Sequence, residues 1–321
     1  MTDSRTRLIV NPSSGRERST EHLEALSVRL RERYEPVEIV LTGGDGDAER
    51  AAATAVSDGC RTIFIAGGDG TLNEAVNGVA AAGGLASTTF GVIPFGTGND
   101  FATALGIPKE TDAALDVLLA GRTLRVDLGE MNGRLFFNTS GGGFVAEVSV
   151  AVTPQLKTIV GRLAYLIGGA QTLLEYEPVR ATIAAEPGGE RIGLALYAFA
   201  VCNSRLIGGG RLIAPYALLD DGLLDLCLIE SMSTLEFAAL ARKVGAGDHV
   251  NDSRVRYLQA SHITLTFDRV VRVNTDGEVM EATSCEYRVL PAAGTFLAGE
   301  PQFVGGTSSE PEPPVNRRSP Q

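Results

Sequence analysis

The first third of the chain alternates two hydrophobic periods. Short apolar runs at residues 7–10, 37–41, 62–66 and 89–93 predict strands. Between and after them, residues 19–33, 47–56, 71–82 and 111–120 predict helices. In the first of these Leu23, Leu26 and Leu30 share one face. Strands separated by helices of this length predict right-handed crossovers and a parallel sheet. Ligands of such sheets bind beyond the carboxyl ends of the strands.

From about residue 124 short β-rich runs take over, at 124–128, 135–139, 179–185, 193–202, 223–229, 262–267, 270–274 and 285–290. Two helical stretches interrupt them, near 154–175 and 234–244. This predicts a second, mainly antiparallel domain, a sandwich or a barrel. The expected organisation is an α/β domain at 1–124, a β-rich domain at 125–300 and a disordered, Pro/Ser/Glu-rich tail at 301–321.

Composition narrows the function classes. In 321 residues, 44% are hydrophobic and 21% charged, which excludes wholesale disorder. Lys and Arg number 28 against 39 Asp and Glu, a net charge of −11, so general nucleic-acid binding is excluded. Cys60, Cys202, Cys227 and Cys285 lie far apart among apolar neighbours, which predicts buried free thiols rather than a zinc site. The start carries no long apolar segment and no run of 18 apolar residues occurs, so a cytoplasmic protein is expected. The apolar stretch 156–176, with Lys157 and Arg162, reads either as a membrane-surface contact or as a helix packed on the β domain.

The chemistry concentrates where strands end. Strand 62–66 runs into Gly67-Gly68-Asp69-Gly70-Thr71 and then Leu72-Asn73-Glu74. Thr71 and Glu74 match a capping box, which predicts a helix starting at Thr71. A helix N-terminus behind a glycine loop is a phosphate site. Asp69 inside that loop would repel phosphate unless a cation lay between, which points to a Mg²⁺-linked nucleotide. No Gly-Lys-Ser/Thr occurs, so this is not a Walker loop. Strand 89–93 ends in Pro94-Phe95-Gly96-Thr97-Gly98-Asn99-Asp100. The first two strands end in Asn11-Pro12-Ser13-Ser14-Gly15 and Thr42-Gly43-Gly44.

Together NPSSG, GGDGTLNEAVNG, GVIPFGTGNDFA and NTDGE resemble the bacterial diacylglycerol kinase family of soluble lipid kinases. That family shares its catalytic-domain ancestry with sphingosine kinases and, more remotely, NAD kinases. The resemblance runs from about Arg7 to Ala298. It implies a NAD kinase/diacylglycerol kinase-like fold whose second domain is a β-sandwich. It also implies ATP contacts from Asn11, Pro12, Ser13, Ser14, Gly15, Thr42, Gly67, Gly68, Asp69, Gly70, Thr71, Leu72, Asn73 and Thr97. Asp69, Asp100 and Asp127 match acids that hold the catalytic Mg²⁺ through waters.

A structural Mg²⁺ is implied at Asp221 with the carbonyls of Leu218 and Leu223. Read bare, Asp220-Asp221-Gly222 is a turn. Asp276 of Asn274-Thr275-Asp276-Gly277-Glu278 is implied as the catalytic base, with Glu278 as alternative base or orienting partner. Read bare, Asp-Gly is a hairpin turn.

The expected reaction is transfer of the γ-phosphate of ATP to a lipid hydroxyl, by default diacylglycerol, giving phosphatidic acid in phospholipid metabolism. The partner is then a lipid met peripherally and transiently at a membrane, and a homodimer stays open. The alternatives are an NAD kinase, which shares GGDGT, or a non-catalytic nucleotide-binding regulator. Gly141-Gly142-Gly143-Phe144-Val145-Ala146 matches a dinucleotide fingerprint only formally, since no helix signature follows; the resemblance makes it a turn beside the cleft. Residues 203–211 read as a flexible loop whose Arg205 and Arg211 meet phosphate, a lipid headgroup or solvent.

Overall fold

The computed structural model describes residues 5–14, 20–144, 146–147, 176–186 and 191–305. Four strands, β1 (Arg5–Val10), β2 (Val37–Leu41), β3 (Cys60–Gly67) and β4 (Thr89–Pro94), pair in parallel in the order β2-β1-β3-β4. Helices α1 (Thr20–Leu30), α2 (Asp47–Ser57), α3 (Asp69–Ala81), α4 (Asp100–Ala104) and α5 (Thr111–Ala120) connect and cover them. Ile63, Phe64, Ile65 and Ala66 of β3 are all fully buried, as a central parallel strand covered on both faces requires. The chain moves outward from β1 to β2, then returns past β1 to β3 and β4. The strand order therefore reverses between β1 and β3, where this architecture opens a ligand crevice.

The second half is antiparallel. Its strands are β5 (Thr123–Met131), β6 (Arg134–Phe136), β7 (Thr139–Gly143), β8 (Val179–Glu186), β9 (Arg191–Cys202), β10 (Leu206–Ile207), β11 (Arg211–Leu212), β12 (Leu224–Glu230), β13 (Val255–Ala260), β14 (His262–Thr275) and β15 (Glu278–Leu297). One helix, α6 (Thr234–Lys243), carries a Ser233–Glu236 capping box. β9 and β14 each change partner part-way, pairing with β8 over one half and β7 over the other. The sheet thereby splits into two layers, with Phe136, Ile183, Phe199, Leu226, Leu265 and Tyr287 in the core cluster they share.

The two halves are joined by β15. It leaves β14 through a hairpin, pairs along β5, and ends parallel to β4, with Thr295 opposite Thr89 and Phe296 opposite Phe90. Phe296 is fully buried, stacked on Phe90 at 5.1 Å and edge-on to Phe101 at 5.0 Å. The 124/125 division falls inside β5, which gives Val126 and Leu128 to the first core and Met131 to the second.

Several local expectations change. The 285–290 run extends both ways into β15, because a register shift between Leu290 and Gly294 breaks the alternation that periodicity follows. The runs 262–267 and 270–274 are one strand, β14, with a similar shift between Thr266 and Val271. The run 135–139 is instead two strands, β6 and β7. Gly141 and Gly142 are strand residues paired with β9 and β14, not a turn. Strand β13 and helix α4 carried no readable signal.

Residues 301–305, expected in the disordered tail, are ordered. Phe303 O accepts from Leu219 N–H, and Gly305 N–H donates to Asp220 Oδ1. The stretch 156–175, the helix expected at 154–175 and Gly15 lie outside the described residues. All four cysteines are buried and unpaired.

Candidate active site

The strand ends of the first sheet are stitched together. Asn11 N–H continues the β1–β3 ladder to Ala66 O, and Asn11 Nδ2 donates to Thr71 Oγ1 at 2.9 Å, spanning the point where strand order reverses. Thr42 N–H donates to Val10 O. The β3–α3 and β4–α4 loops touch backbone to backbone: a Cβ on Gly96 would stand 2.5 Å from Gly68 Cα. Only glycine allows that approach.

The start of α3 differs from expectation. The helix opens at Asp69 with Gly68 as its cap, not at Thr71. The capping box does not form, because Thr71 is engaged by Asn11 and Glu74 accepts from Ala48 N–H on α2 at 3.2 Å. Leu72 and Asn73 are turned inward and fully covered, Thr42 is nearly so, and Ser13, Gly70 and Thr97 are exposed.

Asp69 and Asp100 face each other. Asp69 accepts from the Asp100 and Phe101 amides at 3.1 and 3.2 Å and from Asn138 Nδ2 at 3.4 Å. Burial pushes its carboxyl above the usual range, and the charge of Asp100 adds to this. Asp100 accepts from Gly209 and Gly210 N–H, at 3.0 and 2.8 Å. A Cβ at Gly98 would lie 3.3 Å from Asp69 Oδ2 and 3.6 Å from Asp100 Oδ2. The missing side chain leaves a small space overlooked by both carboxylates.

Asp276 enters from the other half. It sits with Gly277 in the two-residue β14–β15 turn, at φ 46° and 101° respectively, the positive-φ pair that an Asp-Gly hairpin adopts. Its Oδ2 accepts from the amides of Phe137 (2.8 Å) and Asn138 (3.1 Å), and its Oδ1 from Thr139 (2.9 Å). Those amides are available because the chain turns between β6 and β7, which is why the predicted strand is broken there. Asn73 Nδ2 reaches Asp276 Oδ2 at 3.5 Å. Burial pushes the Asp276 carboxyl up to about 7 against the three amides, with Asp69 adding to the rise.

The other candidates have partners of their own. Glu278 is held in a two-point contact by Arg134, whose Nη1 also binds Glu49 at 2.8 Å. Asp127 gives its two oxygens to the Gly222 and Ala292 amides, each at 2.6 Å, and has no hydrogen bond to Asp69 or Asp100. It lies instead beside Asp221, whose carboxyl is raised to about 6 by burial and then by Asp127 and Asp220. Asp221 accepts from Leu223 N–H in its own turn. Arg205 donates to Ala217 O and covers the Phe303 ring at 4.7 Å.

No role is read from the sequence for Asn77 or Asn138, and Asn203 is read only as the start of the loop at 203–211. Asn77 grips both backbone groups of Leu135, and Asn203 Nδ2 donates to Asp127 O and Phe137 O. Asn77 and Asn203 act on main chain and Asn138 on the Asp69 and Asp276 carboxylates, all distant in sequence, so no local spacing announces these contacts.

Comparison with known proteins shows the family. Residues 5–131 match the diacylglycerol kinase catalytic domain. Residues 138–298 match the YegS C-terminal NAD kinase beta sandwich-like domain. The diacylglycerol kinase of Bacillus subtilis (strain 168) is 36% identical over 275 residues, which is 85% of this chain and 89% of that protein. The chain belongs to the diacylglycerol kinase family. A Staphylococcus aureus (strain MRSA252) diacylglycerol kinase is 35% identical, over 85% of this chain and 86% of its own. A Bacillus anthracis structure assigned as a diacylglycerol kinase superposes with a TM-score of 0.76 at 27% identity, covering 92% of this chain and 96% of that one. The protein is thus a lipid kinase of the diacylglycerol kinase family, with an α/β catalytic domain and a β-sandwich-like second domain. Among the described residues, no helix is long and apolar enough to cross a membrane.

Proposed function

We propose that the enzyme transfers the γ-phosphate of ATP to the hydroxyl of diacylglycerol, giving phosphatidic acid. One observation carries this reading: the Asp276 carboxyl, held near pKa 7, lies close enough to Asp69 of the glycine loop to feel its charge. A base tuned to neutral pH then stands beside a loop shaped for phosphate. ATP lies over the strand ends, against Asn11, Pro12, Ser13, Ser14, Thr42 and Thr97. The first-turn amides of α3, which have no partner within the helix, face its phosphates.

Mg²⁺ suits the space at Gly98, since two carboxylates overlook it and a hard cation takes oxygen ligands. Asp69 and Asp100 would hold it, and when bound it would offset the charge of the phosphoryl group in transfer. The Asp221 turn, with the Leu218 and Leu223 carbonyls, suits a second cation that shapes the loop.

The chain's own residues do the rest. Asp276 Oδ2 already receives two amides and Asn73, whereas Oδ1 receives Thr139 alone. Oδ1 is therefore the atom with a lone pair left for the substrate hydroxyl. It takes the proton as the alcohol oxygen bonds to phosphorus and the bond to the ADP oxygen breaks. Arg134 neutralises Glu278 and leaves Asp276 as the base. The enzyme meets its substrate peripherally, at the bilayer surface.

The test is transfer of labelled phosphate from ATP to a panel of lipid alcohols that includes diacylglycerol, with NAD in parallel. Label in phosphatidic acid is expected. Label in NADP, or in no lipid, overturns the proposal.

A further inference from the structure

Asn138 is 6% exposed and stands between the two acids. Its main-chain N–H donates to Asp276 Oδ2 at 3.1 Å, and its side-chain Nδ2 donates to Asp69 Oδ1 at 3.4 Å. Among the described residues it is the donor common to both. Its own carbonyl accepts from the Asn203 and Ser204 amides, at 2.9 and 3.3 Å, so its backbone is fixed from the far side as well.

The side-chain amide has one sensible orientation. An ionised carboxylate only accepts, so Nδ2 must face Asp69. Among the described residues, Asn138 Oδ1 is then buried without a partner. A side chain kept for packing would be apolar, or would have both ends of its amide met, because an unmet buried carbonyl lowers stability. Leucine, of nearly the same shape, would bury no polar atom here, so what asparagine adds is the donor that reaches Asp69.

The two acids come from different parts of the chain. Asp69 opens α3 and Asp276 caps the β14–β15 turn, 207 positions later by their numbers. Phosphoryl transfer depends on spacing and charge placement rather than covalent chemistry, and a misplacement of about 1 Å can cost about 10²-fold.

We propose that Asn138 is a positioning residue for the transfer, locking Asp69 to Asp276 so that the phosphate side and the acceptor side keep one spacing. This rests on the kinase reading above. It separates two properties that a packing residue would change together: nucleotide binding persists without Asn138, and transfer does not.

The experiment compares the wild type with Asn138→Leu, which keeps the shape, and Asn138→Ala, which does not. Three quantities are read: kcat and KM for ATP with diacylglycerol, affinity for a non-hydrolysable ATP analogue, and the melting temperature. Both variants should lose about 10²-fold in kcat while KM and analogue affinity stay within about threefold. Asn138→Leu should melt close to the wild type, since it removes an unmet carbonyl and takes one donor from Asp69. A normally melting variant that keeps kcat within about threefold overturns the inference. So does a kcat loss matched by equal losses of analogue affinity and melting temperature in both variants. A wild type that phosphorylates no lipid overturns the kinase reading itself, and this inference with it.

Discussion

The Asp276 carboxyl satisfies two demands with one residue. The turn needs a side chain that tolerates positive φ, and Asp does so better than most. The proposed reaction needs a carboxyl that is half-ionised near neutral pH, and burial supplies that. The expected outcome is a kcat/KM that climbs with pH and levels above about 7, since only the deprotonated carboxylate accepts a proton. A steady-state pH profile checks this, with an apparent value shared between Asp276 and its neighbour Asp69. Asp276→Ala should lower kcat by about 10²–10⁴-fold, with ATP-analogue affinity retained. Retention of a tenth of the wild-type kcat would move the base elsewhere. At this scale the sequence was half legible. The Asp-Gly pair announces the turn, and the motif set announces a kinase. Arg134 holding Glu278 and the Asn138 bridge were not legible, because both join residues far apart in sequence.

Among the elements, β15 has the widest reach. Its first residues close the Asp276-Gly277 turn and its last ones flank β4. Phe296→Ala should destabilise the protein by about 3–5 kcal/mol, the usual cost of deleting a fully buried aromatic ring. Chemical denaturation would read it, and a change below about 1 kcal/mol would mean that the end of β15 is not load-sharing with the first core.

The ordered residues 301–305 bear on a second test. Truncation after Gly305 should leave activity intact, whereas truncation after Glu300 should lower both melting temperature and activity. The longer cut removes the Phe303 carbonyl from Leu219 and the Gly305 amide from Asp220. Thermal melts and transfer assays of the two truncations check it. Periodicity located the parallel strands well, because each is a continuous apolar run. It lost the end of β15, where the register shift at Leu290 and Gly294 removes the alternation. It also lost the start of α3, where the expected capping residue Thr71 serves Asn11 instead.

For the molecule as a whole, the raised carboxyls add up to a pH dependence. Asp69 is raised, Asp221 to about 6, and Asp225 and Asp276 to about 7, each chiefly by burial. The folded chain therefore holds protons that the unfolded chain has released, at pH values between the unfolded value near 4 and these folded ones. Stability from these groups is fully present below about pH 4 and declines as pH rises to about 7. The metal-free protein should melt higher at pH 5.5 than at pH 8, and Mg²⁺ should narrow that gap by stabilising the ionised forms. Asp225→Asn should flatten the slope, since Asp225 is fully buried with Tyr257 and Gln259 for partners. A melting temperature that rises over this window in EDTA would contradict the assignment. The change from α/β to β-rich texture was plain in the sequence. The single thirteen-stranded sheet running through both halves was not, since strand pairing over such separations leaves no local mark.

The return of β15 to β4 also sets an order on synthesis. While the chain emerges from the ribosome, the parallel-sheet half is made first, yet β4 keeps a bare hydrogen-bonding edge until Thr295 and Phe296 arrive. An open parallel edge invites pairing with other chains. Premature termination would therefore yield a half-sheet with a sticky edge, because the residues that close that edge follow the Asp276-Gly277 turn in the same strand. A nascent chain acquires the proposed base and the strand that covers β4 within a single stretch of translation.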